Sequence, residues 1–296
     1  MGNDRYCFIF NEEEIHKFYD RVIPPLKQDE VYFMSLSSRV KYLTDKQKKK
    51  LNLGRTEMFA RSIVRVREWD RFLRTIKKYE VAYGGYTTKN GSIIPDNSIV
   101  LYFNINPSSS LRTYKEFNKT MNEYVFELSQ CAINKRSTED IIYKIKKMDV
   151  LLMNCYQRNT GTTHLLDLDF DIPQNYYDPI ITNFREDLRS NGVQHIVIRT
   201  KGGFHILLDR NTLNYNYNDS LSRARTEFIY EYLNRNSSSL LSELSESEEL
   251  NPTSVKKITG WEIIKNVNGM IPLPGTYQAD YPVMVVDYDD WGKENE

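Results

Sequence analysis

The chain of 296 residues is long enough to bury a hydrophobic core as one large domain or two smaller ones. Forty basic residues balance forty acidic ones, so the overall charge does not by itself indicate a nucleic-acid-binding protein. The three cysteines are scattered and odd in number, and no Cys/His cluster has zinc-ligand spacing, which argues against disulfides and against zinc. The N-terminus lacks a signal-peptide pattern and no apolar run approaches about eighteen residues, so we expect a soluble, cytoplasmic chain with no membrane partner.

The first 80 residues are predicted to be mostly helical. Asn11 is a candidate N-cap for a first helix, which Pro24-Pro25 would end. A short basic helix is expected in TDKQKKKLNLG, and a longer one over 61–81. Residues 39–78 contain fourteen Lys and Arg against four Asp and Glu, a local excess of ten positive charges. This basic segment is either a footprint for a phosphate backbone or a solvated helical face.

The next elements in chain order predict a change from helices to strands. The β-branched run SIVLYFNINP indicates a strand over 98–107, and helices are expected over about 111–127 and 138–149. Beyond residue 161 we predict, in order, a strand in THLLDLDFDI, a helix, a hairpin in QHIVIRTKGGFHILLD and a second helix. A mobile Ser/Glu-rich insertion at 237–251 and short C-terminal strands follow. This β-α-β-β-α order is typical of a ferredoxin-like or RRM-like unit, hence of an α+β fold.

The strand THLLDLDFDI carries three carboxylates at every second position. Asp167, Asp169 and Asp171 should therefore point to one face of the strand. Like charges side by side cost free energy unless a cation lies between them. The pattern predicts a site for divalent cations, of the kind that two-metal phosphoryl and nucleotidyl transfer requires. The alternative is a strand end that runs into a solvated acidic turn.

The hairpin and a later Pro/Gly turn add two further candidate pieces. On the outgoing strand of the hairpin, His205 should face away from Phe204. A histidine close to Arg199 and Lys201, after a Gly pair, suits the binding of a triphosphate, although an incidental polar histidine is the simpler reading. The stretch MIPLPGTYQ is predicted to form a rigid extended turn that shapes a pocket or is only a structured loop.

In this order the three pieces resemble the motifs of the archaeo-eukaryotic primase superfamily. These motifs are an hhhDhD strand, a small-x-His hairpin strand and a Pro-Gly-Ser/Thr turn. They are matched by Leu165-Leu166-Asp167-Leu168-Asp169, Gly203-Phe204-His205 and Pro274-Gly275-Thr276. The upstream VLYFNINP is similar to the Tyr-x-x-x-Asn-Pro strand that precedes the palm in many members.

The resemblance implies a single primase catalytic core over 1–296. Its N-terminal portion, 1–160, would be helix-rich and carry the basic segment, and 161–296 would form an RRM-like palm. The implied activity is that of a DNA primase or primase-polymerase, which makes primers from NTPs or dNTPs on a single-stranded DNA template. A core this short implies a separate replicative helicase or DNA-binding partner. The Asn/Lys/Ile/Tyr-rich composition suggests a virus, plasmid or other mobile element as the source.

The resemblance also implies roles for individual residues. Asp167 and Asp169 would ligate two Mg²⁺ or Mn²⁺ ions, and His205 would bind the phosphates of the incoming nucleotide. The remaining nucleotide-binding candidates are Lys201, Arg199, Gly203 and Thr276. The third metal-binding acid is either Glu262, which we prefer because of its spacing to the turn, or Asp287 at the end of an apolar strand.

Two alternatives use the same residues. A non-catalytic module for nucleic-acid binding and replication initiation would keep the fold without the chemistry, and the uncertain third acid motivates this reading. A metal-dependent nuclease would use the same carboxylates, but hydrolysis gives no reason for a His/Lys/Gly hairpin shaped to bind a triphosphate.

Overall fold

A computed structural model describes residues 4–51, 56–65, 67–88, 90–170, 177–213 and 269–291. The helices described are α1 Glu12–Arg21, α2 Asp45–Leu51, α3 Trp69–Lys77, α4 Ser110–Ile133, α5 Glu139–Lys146, α6 Met148–Arg158, α7 Tyr177–Ser190 and α8 Arg210–Leu213. The strands described are β1 Glu30–Arg39, β2 Thr56–Val64, β3 Ile99–Asn104, β4 Ser108–Ser109, β5 Leu165–Phe170, β6 His195–Thr200, β7 Gly203–Asp209, β8 Met270–Pro272, β9 Tyr277–Gln278, β10 Tyr281–Pro282 and β11 Met284–Val285. The predicted α+β class is confirmed.

The larger sheet has the strand order β10-β9-β3-β1-β2, with β4 added to β1 and β8 added to β3. Its centre is β1, which pairs antiparallel with both β2 and β3 and is buried over nearly its whole length. The C-terminal strands β8 and β9 join this sheet by pairing with β3. Part of the segment predicted to belong to the palm, 161–296, therefore completes a sheet whose other strands come from the first 110 residues.

The smaller sheet has the order β11-β6-β7-β5 and holds the acidic strand. Strand β7 lies between β5 and β6 and is antiparallel to both, while α7 connects β5 to β6. This connection is the split β-α-β arrangement that the sequence order predicted. Strand β11 extends the sheet at β6.

The two faces of the smaller sheet are buried against different parts of the protein. Phe170 packs on Phe184 of α7, with 6.0 Å between the ring centroids. Strand residues alternate between faces, so Leu165 lies on the other face, where it belongs to a cluster shared with the larger sheet. That cluster joins Ile198 and Leu207 of the smaller sheet to strands β1 and β3, represented by Leu36, Leu101 and Phe103. The sheets thus enclose a common core, and the face of β5 that carries the carboxylates looks toward it.

The predicted helix over 61–81 is wrong in its first part. Residues Thr56–Val64 form β2, and the helix α3 begins only at Trp69. The register pairs Tyr32 with Val64 and Phe33 with Ile63, so the β-branched pair Ile63-Val64 gains its packing from β1. Basic side chains next to these residues gave an apparent helical pattern, which long-range pairing overrides. The prediction that the first 80 residues are mostly helical is wrong for the same reason, since β1 and β2 lie within them.

Other predicted elements agree with the structure. Asn11 caps α1, and its side chain accepts a hydrogen bond from the amide of Glu14. The basic helix α2, the strand β3 and the helices α4 and α5 lie where the sequence predicts them. The helix expected over 220–235 and the Ser/Glu-rich insertion at 237–251 lie outside the described residues.

Candidate functional site

The acidic strand and the hairpin strand bring three predicted residues together. Asp169 on β5 is directly opposite His205 on β7, and Asp167 lies diagonally across. Nδ1 of His205 is 3.0 Å from Oδ1 and 3.2 Å from Oδ2 of Asp167. Nε2 of the same ring is 3.8 Å from Oδ1 of Asp169. The imidazole ring of His205 therefore lies between the two carboxylates, with one ring nitrogen toward each.

The three side chains differ in how far they are exposed to solvent. The side chain of Asp167 is 2% exposed, that of His205 10% and that of Asp169 38%. A buried carboxylate requires a hydrogen-bonding partner, and a carboxylate only accepts hydrogen bonds. Nδ1 of His205 therefore carries a hydrogen and donates a hydrogen bond to the carboxylate of Asp167. This fixes the ring and leaves Nε2 on the side of the accessible carboxylate, Asp169.

Asn106 anchors the start of the acidic strand. Its Oδ1 accepts from the amides of His164 and Leu165, at 2.7 and 2.9 Å, and its Nδ2 donates to the carbonyl of Leu165 at 2.9 Å. Asn106 is completely buried and follows β3 of the larger sheet. One side chain thus ties the two sheets together two residues before Asp167. The sequence contains a signal for this role, an asparagine after an apolar strand and before Pro107, but its partner strand is not apparent from the sequence.

The larger sheet contributes Tyr102 and Arg39 beside the acidic pair. Nη1 of Arg39 donates to the Tyr102 hydroxyl at 3.0 Å. Burial raises the pKa of the Tyr102 phenol, Arg39 acts against this rise, and the negative charge of Asp169 adds to it. The charge of Asp169, on the smaller sheet, thus influences a phenol on the larger sheet. Arg39 belongs to the predicted basic segment, whereas the role of Tyr102 next to Asp169 was not predicted.

Gln278, on β9 after the Pro/Gly turn, connects the hairpin to the larger sheet. Its Oε1 accepts from the amide of Lys201 at 2.7 Å, and its Nε2 donates to the hydroxyl of Tyr42 at 2.9 Å. Nζ of Lys201 donates to the carbonyl of Ala279 at 2.5 Å and lies 5.1 Å from the centre of the Tyr42 ring. Lys201 was predicted to bind phosphate, but in this structure its ammonium group holds the hairpin against the turn. Gln278 itself was not predicted as a site residue.

The other predicted nucleotide-binding residues lie in different surroundings. Arg199 pairs in register with Phe204, whereas Ile198 pairs with His205, so Arg199 occupies the α7 face of the sheet and not the face of His205. Gly203 has a φ of 149°, which favours glycine at this end of the hairpin. Thr276 is fully buried, and its hydroxyl donates to the carbonyl of Leu273 within the turn.

Of the two candidates for the third metal-binding acid, the structure describes Asp287. Glu262 lies outside the described residues. Asp287 forms an ion pair with Arg185 of α7 at 2.6 Å, and Arg185 also contacts Asp290 at 2.8 Å. The carboxylate of Asp287 is therefore already matched by an arginine. Within the described ranges, no group of three or more His, Cys, Asp or Glu side chains is arranged to hold a metal ion.

Two basic residues in the helix α3, part of the basic segment 39–78, are paired with acids. In α3, Arg71 pairs with Glu68 at 2.8 Å and Lys77 pairs with Glu12 at 2.6 Å. The lysine-rich part of the segment is α2, where Lys48 is paired with Asp45 at 3.2 Å.

Comparisons with protein-family models, with curated proteins and with solved structures found no match to this chain. None of the helices in the described part of the chain is both long and apolar enough to cross a membrane.

Proposed function

We propose that this protein is a primase or primase-polymerase of the archaeo-eukaryotic type. In this proposal it joins NTPs or dNTPs on a single-stranded DNA template and makes primers for DNA replication. The observation that carries the proposal is the convergence of Asp167, Asp169 and His205 on two paired strands. The motif resemblance requires these three residues to act on the same nucleotide, and the contact of His205 with Asp167 at 3.0 Å and its approach to Asp169 at 3.8 Å support that reading.

The residues present fit a hard divalent cation. Asp169 offers an accessible carboxylate, and Asp167 retains lone pairs beyond those that accept from His205. Mg²⁺ or Mn²⁺ would be held by these two carboxylates, together with Glu262 if that residue is the third acid. When bound, the cations would activate the attacking 3′-hydroxyl and neutralise charge on the triphosphate.

The side chains of the protein supply orientation and charge. Asp167 fixes the His205 ring through Nδ1, so that a protonated Nε2 is able to donate to a phosphate oxygen near Asp169. On the larger sheet, Arg39 donates to the Tyr102 hydroxyl, and a guanidinium and a phenol suit the phosphate or sugar of a nucleotide. A lysine-rich α2 suits the template backbone.

Primer synthesis on single-stranded DNA tests the proposal. The assay uses purified protein, labelled NTPs or dNTPs in separate reactions, and Mg²⁺ or Mn²⁺. We expect labelled oligonucleotides from the wild-type protein and a loss of at least about 100-fold for D167N/D169N, because the two carboxylates would hold the cations that neutralise the triphosphate. The matched control is D140N, which removes an exposed acid from α5. No product from the wild type with either nucleotide, or full activity in the double variant, would disprove the proposal.

One observation favours the non-catalytic alternative. Both oxygens of Asp167 are engaged by His205, and its side chain is almost fully buried. If that pair is permanent, Asp167 is a structural residue and the fold serves only to bind DNA. This alternative predicts DNA binding that weakens steeply with salt, unchanged by D169N and without any primer synthesis. Fluorescence anisotropy with labelled single-stranded DNA over a series of salt concentrations measures the binding.

A further inference from the structure

Strand β2 is an edge strand of the larger sheet, and a groove runs beside it. Among the strands described, β2 pairs only with β1, so the amides and carbonyls along its other edge have no partner strand there. A cavity of about 430 Å³ is lined by the consecutive residues 58–61 of β2 and by Asp149, Val150 and Met153 of α6. Since side chains of a strand alternate between its faces, four consecutive lining residues indicate that the cavity borders the backbone edge. We call this cavity the β2–α6 groove.

A β-bulge brings two lining side chains of β2 to the same face. The pairing of β1 with β2 shifts at Phe59, which is an extra residue in β2. Met58 lies opposite Ser37, and Arg61 lies opposite Ser35. Because these serines are two residues apart on β1, they point to one face of the sheet. Met58 and Arg61 therefore share that face, although they are three residues apart in the chain.

Arg61 brings a positive charge to the groove without an acidic partner. Its Nη1 donates to Oδ1 of Asn154 on α6 at 2.6 Å and lies 3.5 Å from the carbonyl oxygen of Val150. Both partners are neutral, and no carboxylate of the described residues lies within 4 Å of the guanidinium. Arg65, directly after β2, is exposed and likewise has no ion pair in the described part of the chain. A ligand that follows this edge and carries negative charge complements both arginines.

The lining of the groove suits a peptide better than a nucleic acid. Met58, Val150 and Met153 provide apolar walls, and methionine side chains adapt to ligands of different shape. The carboxylate of Asp149 repels a phosphate backbone, whereas a peptide offers it amide donors. An extended peptide also supplies the backbone hydrogen bonds that an edge strand lacks.

We propose that the β2–α6 groove binds an extended acidic segment of a partner protein, which adds to β2 as a further strand of the larger sheet. Acidic side chains of the added strand pair with Arg61 and Arg65, and an apolar side chain between them packs beside Ile63. Ile63 is two residues from Arg61 and packs in the same cluster as Met153 of α6. The proposal is independent of the nucleotidyl-transfer proposal, because none of its residues belongs to the candidate site.

Fluorescence anisotropy with the full chain tests the binding. The labelled probe is the peptide Ser-Val-Thr-Glu-Thr-Val-Thr-Glu-Thr-Val-Ser, in which the valines and glutamates share one face of a strand. We expect a dissociation constant on the order of 10–100 μM, and a loss of at least about tenfold when both glutamates are replaced by lysine. R61M and R65M should each weaken binding about tenfold, because each removes one charge pair.

The matched control is R74M, which removes an exposed arginine from α3 and should leave the affinity within about twofold of the wild type. Circular dichroism and the urea midpoint check that all variants are folded. R65M keeps the test decisive if R61M, which loses its bond to Asn154, is unstable.

Two N-methylated probes test the addition of a strand. Only every second amide of an added strand points to β2, so methylation of one alternate set should weaken binding at least about tenfold, and methylation of the other set by less than about threefold. No saturable binding below about 1 mM, equal affinity for the glutamate and lysine probes, or equal affinity for the two methylated probes would overturn the proposal. A weaker affinity of R61M and R65M for labelled single-stranded DNA, with unchanged affinity for the peptide, would also overturn it and make the groove a nucleic-acid contact.

Discussion

The turn at Gly275 offers a sharp test of how the site is assembled. Gly275 has a φ of +84°, and its amide donates to the carbonyl of Val283. A Cβ added there would lie 2.4 Å from Cγ1 of Ile15, 2.6 Å from the carbonyl oxygen of Asn11 and 2.8 Å from the amide nitrogen of Ile15. Two of these three atoms are backbone atoms of α1 and its cap, so no change of rotamer relieves the overlap.

The chain contains a matched control in Gly91. Its φ is +76°, close to that of Gly275, but nothing lies within 4 Å of an added Cβ. An alanine at either position costs about 1–2 kcal/mol for the left-handed backbone. Only Gly275→Ala adds a steric cost of about 1–3 kcal/mol, by analogy with an overpacked core. We therefore expect losses of about 1–2 kcal/mol for Gly91→Ala and about 2–5 kcal/mol for Gly275→Ala.

Urea unfolding followed by tryptophan fluorescence measures both free energies of unfolding. The difference between the two variants isolates the contact with α1, because the backbone contribution is common to both. If the two variants are destabilised equally within about 0.5 kcal/mol, the Pro/Gly turn does not pack on α1 as described.

Two further predictions concern residues that join elements of the fold. Asn106→Ala leaves the amide and carbonyl of Leu165 without their partner, so we expect the free energy of unfolding in urea to fall by about 3–5 kcal/mol. The exposed control Asn118→Ala should lower it by less than about 0.5 kcal/mol, and an equal effect of the two variants would contradict the bridging role of Asn106. Burial lowers the pKa of His195 in the folded chain below its usual 6.5. Below about pH 6.5 the unfolded chain therefore binds more protons than the folded chain, and the free energy of unfolding falls as the pH is lowered. His195→Gln should flatten the fall in free energy of unfolding between about pH 6.5 and 5, and an unchanged pH profile would show that His195 does not cause it.

The local part of the site could be predicted from the sequence. Alternation along β5 separates Asp167 and Asp169 from Phe170, and the split β-α-β order places β7, which carries His205, beside β5. Both inferences need only the two-residue period of a strand and the order of the elements. The hydrogen bond between Asp167 and His205 follows from them because β5 and β7 pair in register.

The part contributed by the larger sheet could not be predicted in the same way. The charge of Asp169 influences Tyr102, and Gln278 bonds to Lys201, only because two sheets from distant parts of the chain share a core. Nothing in the local pattern of β9 indicates which strand it joins. The role of Arg199 also depends on register, since a shift of one residue on β6 would have moved it to the face of His205.

The pairing of His205 with Asp167 bears on how the site would work. If His205 serves a phosphate and Asp167 serves a cation, both acquire new partners when substrate arrives, and their mutual hydrogen bond is then the arrangement of the site before binding. The bond gives Asp167 a partner in its buried position, since a buried carboxylate left alone is costly. Asp169, with 38% of its side chain exposed, needs no such partner and is the side chain that an incoming cation meets first. Asp169 should therefore control cation binding, and Asp167 should control both cation binding and the position of the histidine.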